Sequence, residues 1–168
     1  MAQTFGDSGD NALTAFTTHA TTRSYSCWFY RTAANNLGRI FEKRTVGAQV
    51  ELIYNDNDGV SPDQMNYGRA WSGATDCQWR IGTIPSQDAW HNIIVTYDGS
   101  STANDPIGYI DGVSQSITEV NGPPSGSLNT NTDAYVIGNR NTGTDRTWIG
   151  NLAEFAIWDR ILTAAEAD

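Results

Sequence analysis

The chain has 168 residues, 39% hydrophobic and 17% charged, with 16 glycines, a balance that belongs to a globular, turn-rich protein and excludes a disordered or fibrous one. A formal net charge of -9 argues against nucleic acid as a partner, because phosphate backbones are held by clustered Lys and Arg. No apolar run approaches the ~18 residues of a membrane span, so membrane insertion is not expected, and the length suits a single domain over residues 1–168.

The first five residues lack the basic start and apolar core of a secretory signal, so residues 3–5 are expected to be a first edge strand. A GDSGDN turn and a second short run, 12–16, follow. In 24–31, Tyr25, Cys27 and Phe29 share one face and Ser26, Trp28 and Tyr30 the other; both are apolar enough to be covered, which predicts a central strand. After a turn at Asn35, Asn36 and Gly38, residues 39–43 read as the partner of that strand. Residues 49–54, an acidic loop ending at Gly59, and 65–71 make a strand, a loop and a strand. Cys77, Trp79 and Ile81 then alternate onto one face, and 83–88, with Pro85, form a loop.

The clearest strand lies in WHNIIVTYDGS, residues 90–100. Ile93, Val95 and Tyr97 alternate there with Asn92, Ile94 and Thr96 before Asp98-Gly99 turns the chain. Ile107, Tyr109 and Ile110 form the next strand, and Asp111-Gly112 is a two-residue hairpin signal whose glycine takes positive φ. Residues 121–133, rich in Pro, Gly, Ser, Thr and Asn, read as a long crossover loop on the rim. The last strand, 148–158, is expected to turn Ile149, Phe155 and Ile157 inward with a bulge near Asn151 or Leu152. Thr163 and Glu166 have the spacing of a capping box. Strands that follow one another through short turns build antiparallel meanders or sandwiches, because parallel pairs need long crossovers.

Four pieces in order carry a family resemblance: WH(x)3VTYDGS from Trp90, YIDG from Tyr109, YVIGNR from Tyr135, and a glycine-led strand from Gly150 that runs into Trp158-Asp159-Arg160-Ile161-Leu162. With SYSCWFYR around Trp28 they make the chain resemble, over nearly its whole length, the laminin-G-like jelly roll of the concanavalin A-like superfamily. The fold class this implies is all-β, an antiparallel β-sandwich of jelly-roll type. The resemblance also assigns Trp28, Trp90 and Trp158 to packing, and it allows a calcium ion at the sandwich rim. Where the family commonly has an acidic pair in its last strand, however, this chain has Ala153-Glu154, which weakens a metal role there.

Candidate chemistry is sparse. Retaining glucanases of related architecture need two carboxyls ~5 Å apart on one strand face, and the five glutamates, Glu42, Glu51, Glu119, Glu154 and Glu166, are scattered singly. A Ser/His/Asp triad would have to use His19 or His91, and His91 beside Trp90 reads as a packing or hydrogen-bonding residue. Asp56 and Asp58 are candidate calcium ligands, with a plain hairpin loop as the alternative; Met65 at the twelfth position rules out an EF-hand. Cys27 and Cys77 have no zinc spacing and leave a disulfide open.

Sugar rings are bound by stacking on exposed aromatic faces while polar side chains read the hydroxyls. With three tryptophans assigned to packing, the candidates are Trp71 and Trp148, with Tyr67, Arg69, Asp145 and Arg146 close by in sequence. The expected function is non-enzymatic recognition or surface display. The chain is expected to be either a virion protein, such as a capsid decoration or tail adhesin subunit contacting a glycan or a virion or cell-surface protein, or a carbohydrate-binding domain of a secreted protein. Its expected place is a virion surface or the extracellular space, and open sheet edges leave room for a homo-oligomer.

Overall fold

The computed structural model describes residues 2–5, 12–13, 20–32, 37–45, 48–56, 64–74, 77–130, 132–140 and 146–168. Two antiparallel sheets face each other. The first runs β1 (Gln3–Phe5), β13 (Gly150–Trp158), β3 (Thr22–Arg31), β8 (Trp90–Asp98), β9 (Ile107–Ile110) and β10 (Val113–Ser114). The second runs β11 (Ile117–Asn121), β7 (Cys77–Thr83), β6 (Gln64–Arg69), β5 (Ala48–Asp56), β4 (Arg39–Thr45), β12 (Tyr135–Ile137) and β2 (Ala12–Leu13). A single helical turn, α1 (Ala164–Ala167), closes the chain.

The period-two pattern does what it predicts. Tyr25, Cys27 and Phe29 of β3 and Ile93, Val95 and Tyr97 of β8 point between the sheets, where they meet Phe41, Ile53, Tyr67, Trp79 and Ile81. The sheets approach so closely at Gly108 that a Cβ there would sit 2.2 Å from Ile81 Cγ2. At the hairpin, Asp111 (φ 51°) and Gly112 (φ 75°) take the left-handed conformations of a two-residue turn. Asp111 also clamps that turn to the start of β8: its carboxylate meets His91 Nδ1 at 2.7 Å and accepts the Asn92 N–H at 2.8 Å. His91 therefore has the hydrogen-bonding role expected of it.

The crossover segment lies on the rim as expected, with Leu128 bridging Trp71 and Ser72 N–H donating to the Ser127 carbonyl at 2.8 Å. One expectation fails, and one open question is settled. Residues 39–43 do not pair with β3: β4 lies in the other sheet between β5 and β12, while β3 pairs with β13 and β8. Alternation shows which side chains share a face but not which sheet a strand joins. Cys27 and Cys77 sit on different sheets and are not joined in a disulfide; each thiol instead contacts backbone carbonyls, of Trp28 at 3.3 Å and of Ala74 at 3.3 Å.

The interior is not wholly apolar. Cross-strand pairing in the second sheet puts Lys43, Glu51 and Arg69 side by side on the inner face. Glu51 is 1% exposed, and its carboxylate meets Arg69 Nη1 at 2.6 Å and accepts the hydroxyls of Tyr67 at 2.7 Å and Tyr135 at 3.0 Å. Arg23 reaches across from the first sheet to donate to Tyr135 Oη at 2.6 Å. Burial alone would raise the Glu51 carboxyl, but the Arg69 guanidinium and the Tyr25 and Tyr67 hydroxyls hold it below its ordinary 4.5. Burial, and next the charge of Glu51, push the Tyr25 and Tyr67 phenols well above 10.0. Burial, reinforced by Arg23, lowers Lys43, whose ammonium lies 4.9 Å from the centre of the Tyr135 ring.

Two outcomes follow. Glu51→Gln leaves Arg69 without its counter-charge in the interior and is expected to cost about 3 kcal/mol in denaturant unfolding, more than removal of an exposed ion pair. Stability is also expected to fall at both ends of the pH scale. Because the folded-state tyrosines titrate above 10.0, their contribution is complete below that value and is lost as pH rises beyond it. Because Glu51 titrates below 4.5, its contribution is present above that value and is lost as pH falls through the lower folded one. Near-ultraviolet phenolate absorbance should show these tyrosines ionising together with unfolding; free ionisation of all seven tyrosines in the native state would contradict the cluster.

Candidate functional site

On the outer face of the first sheet the alternation of β3 presents Ser26, Trp28 and Tyr30, opposite in sense to the core set. Trp28 lies between Ala153 of β13 and Asn92 of β8, and Tyr30 lies between Asn151 and Trp90. Trp28 and Trp90 are each 40% exposed, and the Tyr30 and Trp90 rings lie 5.7 Å apart. Together with Ala153 and Glu154 the two tryptophans line a groove of about 360 Å³.

A bulge brings Glu154 to that groove. The register of β13 on β3 runs Ala153 to Trp28 and then Ala156 to Ser26, so Glu154 and Phe155 together oppose the single residue Cys27. Glu154 takes a left-handed conformation (φ 52°), which lets Phe155 return inward to pack 5.4 Å from Phe41 while Glu154 stays on the outside. The bulge expected near Asn151 or Leu152 therefore lies two residues further on, where the strand has to turn a bulky apolar side chain back into the core. A positive φ is uncommon for a residue other than glycine, and here it leaves the Glu154 side chain at the open groove.

Part of the rest of this outer face is covered. The segment after β13 crosses it, with Leu162 and Ala167 packing on Ile94 and Tyr109 beside Trp158. Ser24 pins the segment by donating to the Arg160 carbonyl at 2.7 Å and accepting the Leu162 N–H at 3.0 Å. The Glu166 carboxylate accepts the Thr163 N–H at 2.9 Å and the Thr163 hydroxyl at 3.0 Å, the capping geometry the spacing predicts. Beyond the segment, Thr96, Asp98, Asn104, Asp105 and Ile107 line a second hollow of about 410 Å³. It holds no aromatic face, and one Asp105 oxygen already accepts the Trp79 indole N–H at 2.8 Å.

The residues expected to bind a ligand are not gathered here. Tyr67 and Arg69 belong to the inter-sheet cluster around Glu51, and Trp71 is 3% exposed beneath the crossover segment. Trp148 is fully buried, edge-on to Phe29, with its indole N–H donating to the Tyr30 carbonyl at 3.3 Å. A side chain with no free face cannot stack on a sugar, so the expectation that Trp71 and Trp148 are presented to solvent is corrected. Arg146 is half-buried, and its carbonyl accepts the Arg39 N–H at 2.9 Å. Asp145 and Asp58 lie outside the described residues, as does the side chain of Asp56, which ends β5. Among the described residues no group of three or more His, Cys, Asp or Glu could hold a metal ion. At Ala153, where the family resemblance expects a carboxylate, a methyl group lines the groove and offers no ligand.

The residues that line this groove, Trp28, Trp90 and Glu154, are not among the candidates the sequence offers. The alternation had already placed Trp28 opposite the core set; assigning it to packing came from the family pattern, and the structure corrects that for Trp28 and Trp90 while Trp158 does pack.

Two facing antiparallel sheets with this strand order make a jelly roll of the laminin-G-like class. The family model described as the concanavalin A-like lectin/glucanases superfamily matches residues 5–168, and the chain belongs to that family. No curated protein matches it in sequence. Among solved structures it is similar to a native heptameric SAP-like pentraxin from Limulus polyphemus, at 13% identity, covering 99% of this chain and 79% of that one with a TM-score of 0.72. It is also similar to the CBM40 of the Ruminococcus gnavus IT-sialidase bound to α2,3 sialyllactose, at 9% identity, covering 99% and 96% with a TM-score of 0.67. Domains LG4-5 of the mouse laminin α1 chain match at 14% identity, covering 98% of this chain and 43% of that one with a TM-score of 0.67. At these identities the likeness is one of fold.

Replacing Glu154 with glycine removes the left-handed penalty, partly offset by a freer unfolded chain. Glu154→Gly is expected to raise unfolding stability by about 0.5–1 kcal/mol at unchanged denaturant slope. A loss of stability would mean that the bulge, not the groove, depends on this side chain.

Proposed function

We propose that this domain is a non-catalytic carbohydrate-recognition module that seats a sugar ring on Trp28 and Trp90 and accepts its hydroxyls at Glu154. The observation that carries the reading is a pair of tryptophans, each 40% exposed, beside a carboxylate aimed by a bulge into the same groove. Exposing so much indole to water is unfavourable unless a ligand covers it, and an apolar ring face with polar acceptors at its edge matches a pyranose. Membership of a lectin and glucanase superfamily, and likeness to a module recorded with sialyllactose, support glycan binding as the class.

Binding rather than hydrolysis is supported by the state of the two buried glutamates. Glu51 is held by Arg69, and Glu42 by Arg39 at 3.2 Å and Arg44 at 3.0 Å, so neither is free to protonate a leaving group. The same proposal includes display at a surface, as a capsid decoration or tail adhesin subunit of a virion or as part of a secreted protein. Calcium dependence and self-association belong to it as well.

A glycan array run with and without a chelator tests ligand class and metal dependence together. Trp28→Ala and Trp90→Ala are each expected to weaken binding about tenfold, or about 1.4 kcal/mol, with unfolding midpoints little changed. Undiminished binding by both variants would place the ligand elsewhere, and product release from arrayed polysaccharides would overturn the non-catalytic reading.

A further inference from the structure

We infer that the groove selects uncharged sugars and turns away those carrying carboxylate or sulfate, a selectivity that rests on the glycan reading above and names its ligand class. It follows from where the chain keeps its positive charge. All ten Lys and Arg residues fall at described positions. Arg23, Arg31, Arg39, Lys43 and Arg69 are buried, four more are half-buried, and Arg160 alone is exposed. Arg160 is already engaged, its guanidinium meeting the Glu166 carboxylate at 2.6 and 2.9 Å. Eight carboxylates at described positions are exposed, Glu154 among them.

Anionic sugars are held by Arg or Lys, through charge-assisted and often bidentate hydrogen bonds. No cation lines this groove, and its one charged lining residue is Glu154. An ionised carboxylate only accepts hydrogen bonds, and its two oxygens suit a pair of neighbouring sugar hydroxyls. A sialic acid, uronate or sulfate placed on the same two tryptophans would bring like charge against Glu154 and would approach through the field of a chain with net charge -9. The cations are not missing from the protein: Arg69 is held by Glu51, Arg39 and Arg44 by Glu42, Arg160 by Glu166, and none of them lines this groove.

The test is calorimetric titration of the whole chain with matched pairs: lactose against sialyllactose, galactose oligomers against galacturonate oligomers, and mannose oligomers against mannuronate oligomers. In the pair whose neutral member binds, that member is expected to bind about tenfold or more tighter than its acidic counterpart. Glu154→Gln should narrow the gap severalfold, by weakening the neutral sugar and admitting the acidic one. For the unmodified chain, added salt should narrow it too, through screening. Equal or tighter binding of the acidic member, or acidic-ligand binding that weakens with salt, would overturn the selectivity while leaving the tryptophan platform standing if Trp28→Ala still weakens it about tenfold. Failure of every sugar to bind would bring down the glycan reading and the selectivity with it.

Discussion

The fold turns on one carboxylate. Glu51 stands between the sheets with Arg69, Tyr67 and Tyr135 within 3.0 Å, and it is almost wholly buried. A buried charge is tolerable only when its partners are in place, and here the partners come from β6 and β12, with Arg23 of β3 joined through Tyr135. The cluster therefore does more than satisfy a side chain: it fixes the relation of the two sheets. It also draws Arg23, Lys43 and Arg69 inside, so the acidic character of the surface is the outward complement of an interior rich in cations.

The outer face of the first sheet divides in two for reasons that lie in β3 and β13. At one end Ser24 holds the last segment down, and Leu162 covers Ile94 and Tyr109 as a core residue would. At the other end nothing among the described residues lies over Trp28 and Trp90. The bulge at Glu154 separates these regimes, since it returns Phe155 to the interior without ending the strand. Local pairing, core packing and the chemistry of the groove thus meet at two consecutive residues.

Much of this was legible in the amino-acid order. The run from Trp90 to Asp98, the Asp111-Gly112 turn, the loop rich in Pro and Ser and the Thr163/Glu166 cap all have local causes, and local causes can be read from neighbours. The sheet joined by β4 was not legible, because pairing is decided by partners far away in sequence. Nor was the buried ion cluster, since a Glu and an Arg on alternating strands look solvent-facing until their register is known. The groove was half legible. Alternation put Trp28 and Tyr30 on the face away from the core, but whether another segment covers that face is a tertiary fact.

The left-handed backbone at residue 154 also shapes how this site can drift in evolution. Residues that occupy such a conformation cheaply are glycine, asparagine and aspartate, whereas β-branched and bulky apolar side chains are penalised there. Inherited variation at this point is consequently steered toward a shorter acid, an amide or no side chain at all. The position beside the two indoles is thereby confined to a short polar group or to bare backbone, and the strand's path does not change with that choice.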